Sequence, residues 1–243
     1  MRRSRQLLAL RHRHPAQKET EITPSAEAPP VSVQNVSKIY GRTAAVRDVS
    51  FTLAPARFYV LRGENGAGKS TLLRMIAGLN QPTQGDVRIF GHKTKDTRAH
   101  VGYMAHAPLL YDELSGMENL RFFGELYGIR SDDVLQKAMQ RVGLDPALTR
   151  RVGQYSQGMR QRLSLARAIF HSPQLLLLDE PFSNVDPESS TQIAKLLADM
   201  RSAGNTILLV THQLGLMAEL ADEFLVLSAG ELVSQTSSRR TDA

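Results

Sequence analysis

Gly63-Glu64-Asn65-Gly66-Ala67-Gly68-Lys69-Ser70 fits the pattern G-x-x-x-x-G-K-[ST] without a gap. The strand-like run Phe58-Tyr59-Val60-Leu61 precedes it, and the helix-like run Thr71-Leu72-Leu73-Arg74-Met75-Ile76-Ala77 follows. That is the context a phosphate-binding loop requires. Its glycines allow backbone N–H groups to curl around a polyphosphate, and the helix N-terminus adds positive partial charge. Lys69 is placed to reach the terminal phosphates, Ser70 to hold magnesium, and Gly63, Asn65, Gly66, Ala67, Gly68 and Thr71 to supply the rest of the cradle. A plain glycine-rich turn would leave the Lys69-Ser70 pair unexplained. The expected ligand is a nucleoside triphosphate, with ATP and Mg2+ as the natural pair.

The 243 residues, 42% hydrophobic and 22% charged, suffice for one large core or a core with a subdomain. The longest apolar runs, Leu175-Leu176-Leu177-Leu178 and Ile207-Leu208-Leu209-Val210, are strand-length, far below the roughly 20 residues that cross a bilayer. They read as central strands of a parallel sheet covered on both faces. The absence of cysteine excludes disulfides, thiolate metal sites and cysteine nucleophiles. A reducing, cytoplasmic setting is the expectation.

Net charge is +6, and residues 1–30 carry Arg2, Arg3, Arg5, Arg11, Arg13 and Lys18 against Glu19, Glu21 and Glu27. With Pro15, Pro24, Pro29 and Pro30 and no apolar face, this stretch reads as a disordered basic extension. Leu7-Leu8-Ala9-Leu10 is too short for the apolar centre of a secretory signal. A solvated tail or an upstream start site is favoured over a nucleic-acid arm or a lipid contact, so nucleic acid is not an expected partner.

From Val31 onward strand and helix signals alternate. Val31–Val36 shows period-2 apolar positions, Val46 to Leu61 holds two strand-like runs broken at Ala54-Pro55, and Asp86–Phe90 is another strand ending at Gly91. Residues 113–171 are dominated by helical periodicity, as in Glu118–Tyr127 and Asp133–Met139, and read as a helical insertion. Alternation resumes with the Leu175 strand, the helix Glu188–Met200, the strand Thr206–Val210 and a hairpin Phe224–Val233 turning at Ala229-Gly230. The expected domain spans 31–233, leaving a polar tail at 234–243.

Two strand ends carry chemistry. Asp179-Glu180 closes the leucine strand: at the carboxyl edge of the sheet Asp179 acts on magnesium, and Glu180 orients or deprotonates the attacking water. Helix capping after Pro181 is the competing reading for Glu180 alone. His212, after Ile207–Thr211, ends a strand on the same rim and is placed to reach the γ-phosphate, against a capping or surface role.

With Tyr155-Ser156-Gln157-Gly158-Met159-Arg160-Gln161-Arg162 ahead of Asp179, the chain over 31–233 resembles the ATP-binding cassette family, the nucleotide-binding subunits of ABC transporters. The octapeptide is similar to the family signature, usually Leu-Ser-Gly-Gly-Gln. The resemblance implies an α/β P-loop ATPase core with a parallel sheet, an N-terminal antiparallel β subdomain and a helical subdomain. It further implies a head-to-tail homodimer, or a paired ATPase subunit, in the ATP-bound state. Two ATP·Mg are then sandwiched between the P-loop of one copy and Ser156 and Gly158 of the other. Closure drives a separate transmembrane permease, with the ATPase peripheral on the inner face of the cell membrane, and hydrolysis resets it.

In that family an aromatic stacks on adenine, and Tyr40 in Lys38-Ile39-Tyr40-Gly41 matches it, with core packing as the rival role. Ser183-Asn184-Val185-Asp186 matches the loop whose aspartate works at the dimer interface, with Asn184-Val185 departing from the commoner Ala-Leu. His106 stands where most members carry a glutamine linking magnesium to the membrane partner, and Gln157 and Met159 depart from the usual signature. These variants, with Leu110-Tyr111-Asp112-Glu113-Leu114, resemble export-type bacterial ATPases, including the haem-exporter ATPases of cytochrome c maturation. The rival class is a soluble ABC-type ATPase acting on nucleic acid or a protein complex. Such proteins usually carry coiled-coil insertions or tandem cassettes, and this chain has neither. A P-loop kinase or GTPase would lack the signature.

Overall fold

The computed structural model describes residues 28–217 and 219–237. The basic extension lies outside the described residues apart from Ala28, Pro29 and Pro30, as do residues 238–243. Two sheets organise the described residues. The first is antiparallel: β1 (Val31–Tyr40), β2 (Thr43–Leu53), β4 (Gln84–Ile89) and β5 (His92–Lys93), in the order β2-β1-β4-β5. The second has the order β10-β9-β3-β8-β7-β6, built from β3 (Phe58–Arg62), β6 (Val101–Met104), β7 (Leu175–Asp179), β8 (Thr206–Val210), β9 (Glu223–Ser228) and β10 (Glu231–Ser237). Its strands run parallel except for the edge strand β10, which pairs antiparallel with β9. Helices α1 (Lys69–Ile76), α2 (Gly116–Leu126), α3 (Asp132–Arg141), α4 (Gln157–Ile169), α5 (Pro187–Ser202) and the single turn α6 (Leu214–Met217) complete the fold. This is the α/β arrangement expected.

The unbroken apolar strands have a simple physical cause. Successive strand side chains point to opposite faces, and both faces of the parallel sheet are covered. Leu176, Leu178, Ile207, Leu209, Phe58 and Val60 pack with the helices α2 to α5. Leu175, Leu177, Leu208, Val210, Tyr59 and Leu61 pack with α1 and the antiparallel sheet. An alternating polar residue would be buried without a partner on either side, so the alternation disappears from these segments.

Several boundaries differ from those the sequence suggests. β1 runs on to Tyr40, beyond Val36, because register shifts between Val33 and Ile39 break the period-2 pattern while pairing with β2 continues. β6 gave no strand signal; its Gly102 is there because a Cβ would lie 2.2 Å from the Ala168 carbonyl oxygen of α4. The polar tail does not begin at 234: Thr236 and Ser237 still pair with Phe224 and Glu223, so exposed polar side chains sit on a hydrogen-bonded edge strand.

Candidate nucleotide site

β3, β7 and β8 all run the same way, so the loops leaving their carboxyl ends share one rim of the sheet. A cleft of about 570 Å³ opens there, lined by Ala45, Asn65, Gly66, Gly68, Lys69, Ser70, Thr71, His106, Asp179, Glu180, Ser183, Val210, His212 and Gln213. The fold thus assembles at one place the phosphate-loop residues, both carboxylates and both histidines singled out in the sequence.

The loop from Gly63 to Gly68 is shaped by close backbone approaches. Gly68 has φ 100°, and a Cβ there would lie 2.2 Å from the Ala45 carbonyl oxygen of β2. At Gly63 a Cβ would lie 2.1 Å from the Leu227 carbonyl oxygen of β9. Only glycine fits either position. α1 begins at Lys69 with no side-chain cap, so the orphan N–H groups of its first turn face the cleft and form an anion-binding end. Lys69 is 7% exposed, and its Nζ donates to the carbonyls of Gly63 at 2.7 Å and Glu64 at 2.8 Å. Two of the three ammonium donors fix the cation over the loop, and the third is available to a phosphate oxygen.

The carboxylates differ in setting. Asp179, 2% exposed, has a buried Oδ2 with no hydrogen-bond partner among the described residues. A buried carboxylate oxygen of this kind is costly unless a cation or water satisfies it. The site therefore fits a hard divalent ion, and the Ser70 hydroxyl in the same cleft is an oxygen that could join it. Among the described residues no cluster of three or more His, Cys, Asp and Glu could hold a metal alone. Mg2+ suits that arrangement, since it takes one or two protein oxygens and completes its shell with phosphate and water. His106 lines the cleft and is exposed.

Glu180 stands one residue further, with φ 54°. Its Oε2 accepts from the His212 backbone N–H at 3.3 Å. Its Oε1 is buried, lies 3.4 Å from His212 Nε2 and, among the described residues, has no hydrogen-bond partner, so its accepting capacity is unused. Helix capping is not the role of Glu180: α5 is capped by Asp186, whose Oδ1 accepts from the Ser189 N–H at 2.8 Å, with Pro187 in the first turn. That bond, joined by one from the Ser189 hydroxyl, holds the Asp186 carboxyl below the usual carboxylate range.

Other singled-out residues lie off the cleft. Gly63 and Ala67 support the loop from behind, the Ala67 carbonyl accepting from the Gly230 N–H at 3.1 Å. Tyr40 is 48% exposed, which excludes core packing. Lys38 Nζ lies 5.2 Å from the centre of its ring, and its hydroxyl accepts from Asn80 at 3.0 Å. Ser156 caps α4, accepting from the Met159 N–H at 3.2 Å, and Gly158 packs against the Asn184 carbonyl. Neither Ser156 nor Gly158 lines the cleft of its own chain. Sequence reasoning missed Ala45 and Gln213, which enter the cleft through tertiary placement without a local signal. It also missed Gln161, whose buried amide donates to the Glu180 carbonyl at 2.7 Å.

A phosphate loop, an aspartate–glutamate strand end and a histidine strand end on one rim define a nucleoside-triphosphate-hydrolysing site. A family profile described as ABC transporter matches residues 46–183. The chain belongs to that family, and it is an ATP-binding, ATP-hydrolysing domain of it. It is 35% identical to the bacitracin transport ATP-binding protein BcrA of Enterococcus faecalis, over 85% of this chain and 69% of that protein. It is equally 35% identical to the Nod factor export ATP-binding protein I of Rhizobium johnstonii, over 88% of this chain and 71% of the other. Among solved structures, the ATP binding subunit of an ABC transporter superposes with TM-score 0.78 at 29% identity, covering 85% of this chain and 89% of that one. The dimeric post-hydrolysis cassette MJ0796 bound to ADP and Pi superposes with TM-score 0.81 at 25% identity, covering 86% and 99%.

Proposed function

We propose that this chain powers export through a separate membrane subunit, as the peripheral ATPase on the cytoplasmic face of a bacterial cell membrane. The observation that carries the partner is an exposed apolar patch on α2 and the segment before it. Phe122 (42% exposed) and Leu126 (70%) stand one turn apart on α2, and Tyr111 (45%) and Leu109 (57%) are exposed in the segment before it. The Tyr111 and Phe122 rings meet edge-on at 4.8 Å. Large exposed apolar side chains grouped on one helix and the segment before it suit a protein partner. Among the described residues no helix is long and apolar enough to cross a membrane; the separate subunit rests on the relatives being named as ATP-binding proteins of transport and export systems. Export rests on the relatives named for Nod factor export and bacitracin transport. The haem-exporter class is the narrower form of this proposal, supported by the His106 and Tyr155–Met159 variants.

The chemistry is that of in-line attack by water on the γ-phosphate of ATP. Lys69, the first-turn N–H groups of α1 and the loop from Gly63 hold the phosphates and offset the negative charge that spreads over them. Ser70 and Asp179 would hold Mg2+, which would supply charge neutralisation to the phosphates, and His106 lines the same cleft as a further polar group on that side. The Glu180 carboxylate, which lines the cleft and has unused accepting capacity, orients the attacking water and takes its proton. His212 contacts the γ-phosphate and steadies Glu180 through its backbone N–H. Tyr40 supplies a π-face for adenine. Because Ser156 and Gly158 lie away from their own cleft, they are assigned to the ATP of a second copy, giving a closed two-fold dimer.

Glu180→Gln should retain ATP binding, lose hydrolysis and elute as a dimer in gel filtration with ATP and Mg2+; a variant that stays monomeric or turns over at the parent rate would sink the assignment. For the partner, Leu126→Asp should weaken binding to native membranes while leaving ATPase activity in solution intact. Equal binding to protein-free lipid vesicles would contradict a protein partner.

A further inference from the structure

Glu180 is not held by strand geometry. Its φ of 54° lies in the left-handed region, a conformation that persists only where surrounding contacts enforce it. Three hydrogen bonds to its backbone do so. Its N–H donates to the Val210 carbonyl at 2.9 Å, and its carbonyl accepts from the Ser183 N–H at 3.2 Å. The shortest of the three comes from a side chain: Gln161 Nε2 donates to the same carbonyl at 2.7 Å. The acceptor is a carbonyl, so the amide must present its NH2 group, and Gln161 is only 4% exposed.

Gln161 sits on α4, whose N-terminus is the Ser156 cap. That helix is gripped on another side by the segment that follows His106. The Ser164 hydroxyl donates to the Pro108 carbonyl at 3.2 Å, Arg167 to the Leu109 carbonyl at 3.0 Å, and Arg160 to Asp112 Oδ1 at 2.6 Å. One rigid helix therefore joins three places: the Ser156 turn, the segment carrying the exposed apolar patch, and the backbone of Glu180.

We propose that Gln161 is a positioning residue, which sets the Glu180 carboxylate by its bond to the Glu180 carbonyl and ties hydrolysis to the placement of α4. The inference rests on the roles proposed above for Glu180 and Ser156. A shift of α4, whether from ATP of the second copy at Ser156 or from a partner at the patch, is passed to the peptide that aims the general base. Positioning of this sort affects the chemical step and leaves nucleotide affinity unchanged, because the Gln161 amide bonds to the Glu180 carbonyl and Gln161 is not among the residues that line the cleft.

Gln161→Met tests it, since methionine matches the length and bulk of glutamine without an N–H. The expected result is a kcat lowered about 10- to 100-fold, the loss that follows from a misplacement of about 1 Å. KM for ATP and the melting temperature should stay near parent values. An unchanged kcat would overturn the proposal, and so would a parallel decline of kcat, KM and melting temperature, the mark of a merely structural residue. In the Glu180→Gln background, adding Gln161→Met should leave the ATP-driven dimer intact. Loss of the dimer only on adding Gln161→Met would place Gln161 in service of the signature turn and overturn the inference. Should Glu180→Gln alone fail to dimerise, the sandwich itself fails, and the split between kcat and KM still decides the role of Gln161.

Discussion

Replacing glycine by alanine at two positions of one loop separates backbone strain from steric exclusion. Gly66 and Gly68 both have positive φ, 83° and 100°. Around Gly66 no atom of the described residues beyond its chain neighbours lies within 4 Å of an added Cβ, whereas at Gly68 the Ala45 carbonyl oxygen would be 2.2 Å away. Gly66→Ala therefore carries only the left-handed penalty, about 1–2 kcal/mol. Gly68→Ala carries that and the forced separation of α1 from β2, a further cost of about 1–3 kcal/mol typical of overpacking. For a chain of this size each kcal/mol lowers the melting temperature by about 2–4 °C, which places Gly68→Ala roughly 2–12 °C below Gly66→Ala. The same displacement moves the first-turn N–H groups that bind phosphate, so ATP affinity should drop further for Gly68→Ala than for Gly66→Ala. Thermal unfolding with and without ATP, followed by nucleotide titration, measures both. Equal melting temperatures and equal affinities for the two variants would refute the claim that contact with β2 shapes the loop.

Lys69→Ala should abolish tight ATP binding, because it deletes the charge held over the loop; retained binding of labelled ATP would contradict this. Folding stability should also depend on pH through His171, whose Nε2 contacts the Val101 carbonyl at 3.2 Å and whose ring stacks on Tyr127 at 4.3 Å. Burial pushes its pKa down to about 4 from 6.5. Between those values the unfolded chain binds a proton that the folded chain does not, so stability falls as pH drops from 6.5 toward 4, by up to roughly 3 kcal/mol. His171→Phe, which keeps an aromatic ring beside Tyr127, should flatten that part of the stability–pH curve; an unchanged slope would exclude His171 as its source.

The phosphate loop, the leucine strand and the histidine strand end were legible because each couples a local pattern to a required chemistry. Lys69, Ser70, Asp179, Glu180 and His212 accordingly meet in one cleft. What escaped was set by long-range contact. Gly102 hides a strand because α4 needs the space. β10 outlasts its apolar residues because an edge strand is held by backbone bonds. Gln161 looks like one polar residue of a mixed helix until the turn at Glu180 brings a carbonyl to it. Tyr40 shows the reverse case: a tyrosine is compatible with the core by composition, and only the register of β1 and β2 leaves it exposed.

The head-to-tail arrangement is tested most directly by complementation between two disabled chains in the Glu180→Gln background. One carries Lys69→Ala. The other carries Ser156→Asp, which preserves the cap of α4, since aspartate caps as well as serine, and sets a negative charge against phosphate. Neither variant alone should trap ATP. In a mixed dimer one composite site receives both lesions and the other receives none, so mixing should restore trapped ATP, one nucleotide per mixed dimer, together with a dimer peak in gel filtration. Failure of the mixture to trap any ATP, with both proteins folded, would contradict a site shared between two copies and confine the nucleotide to the cleft of a single chain.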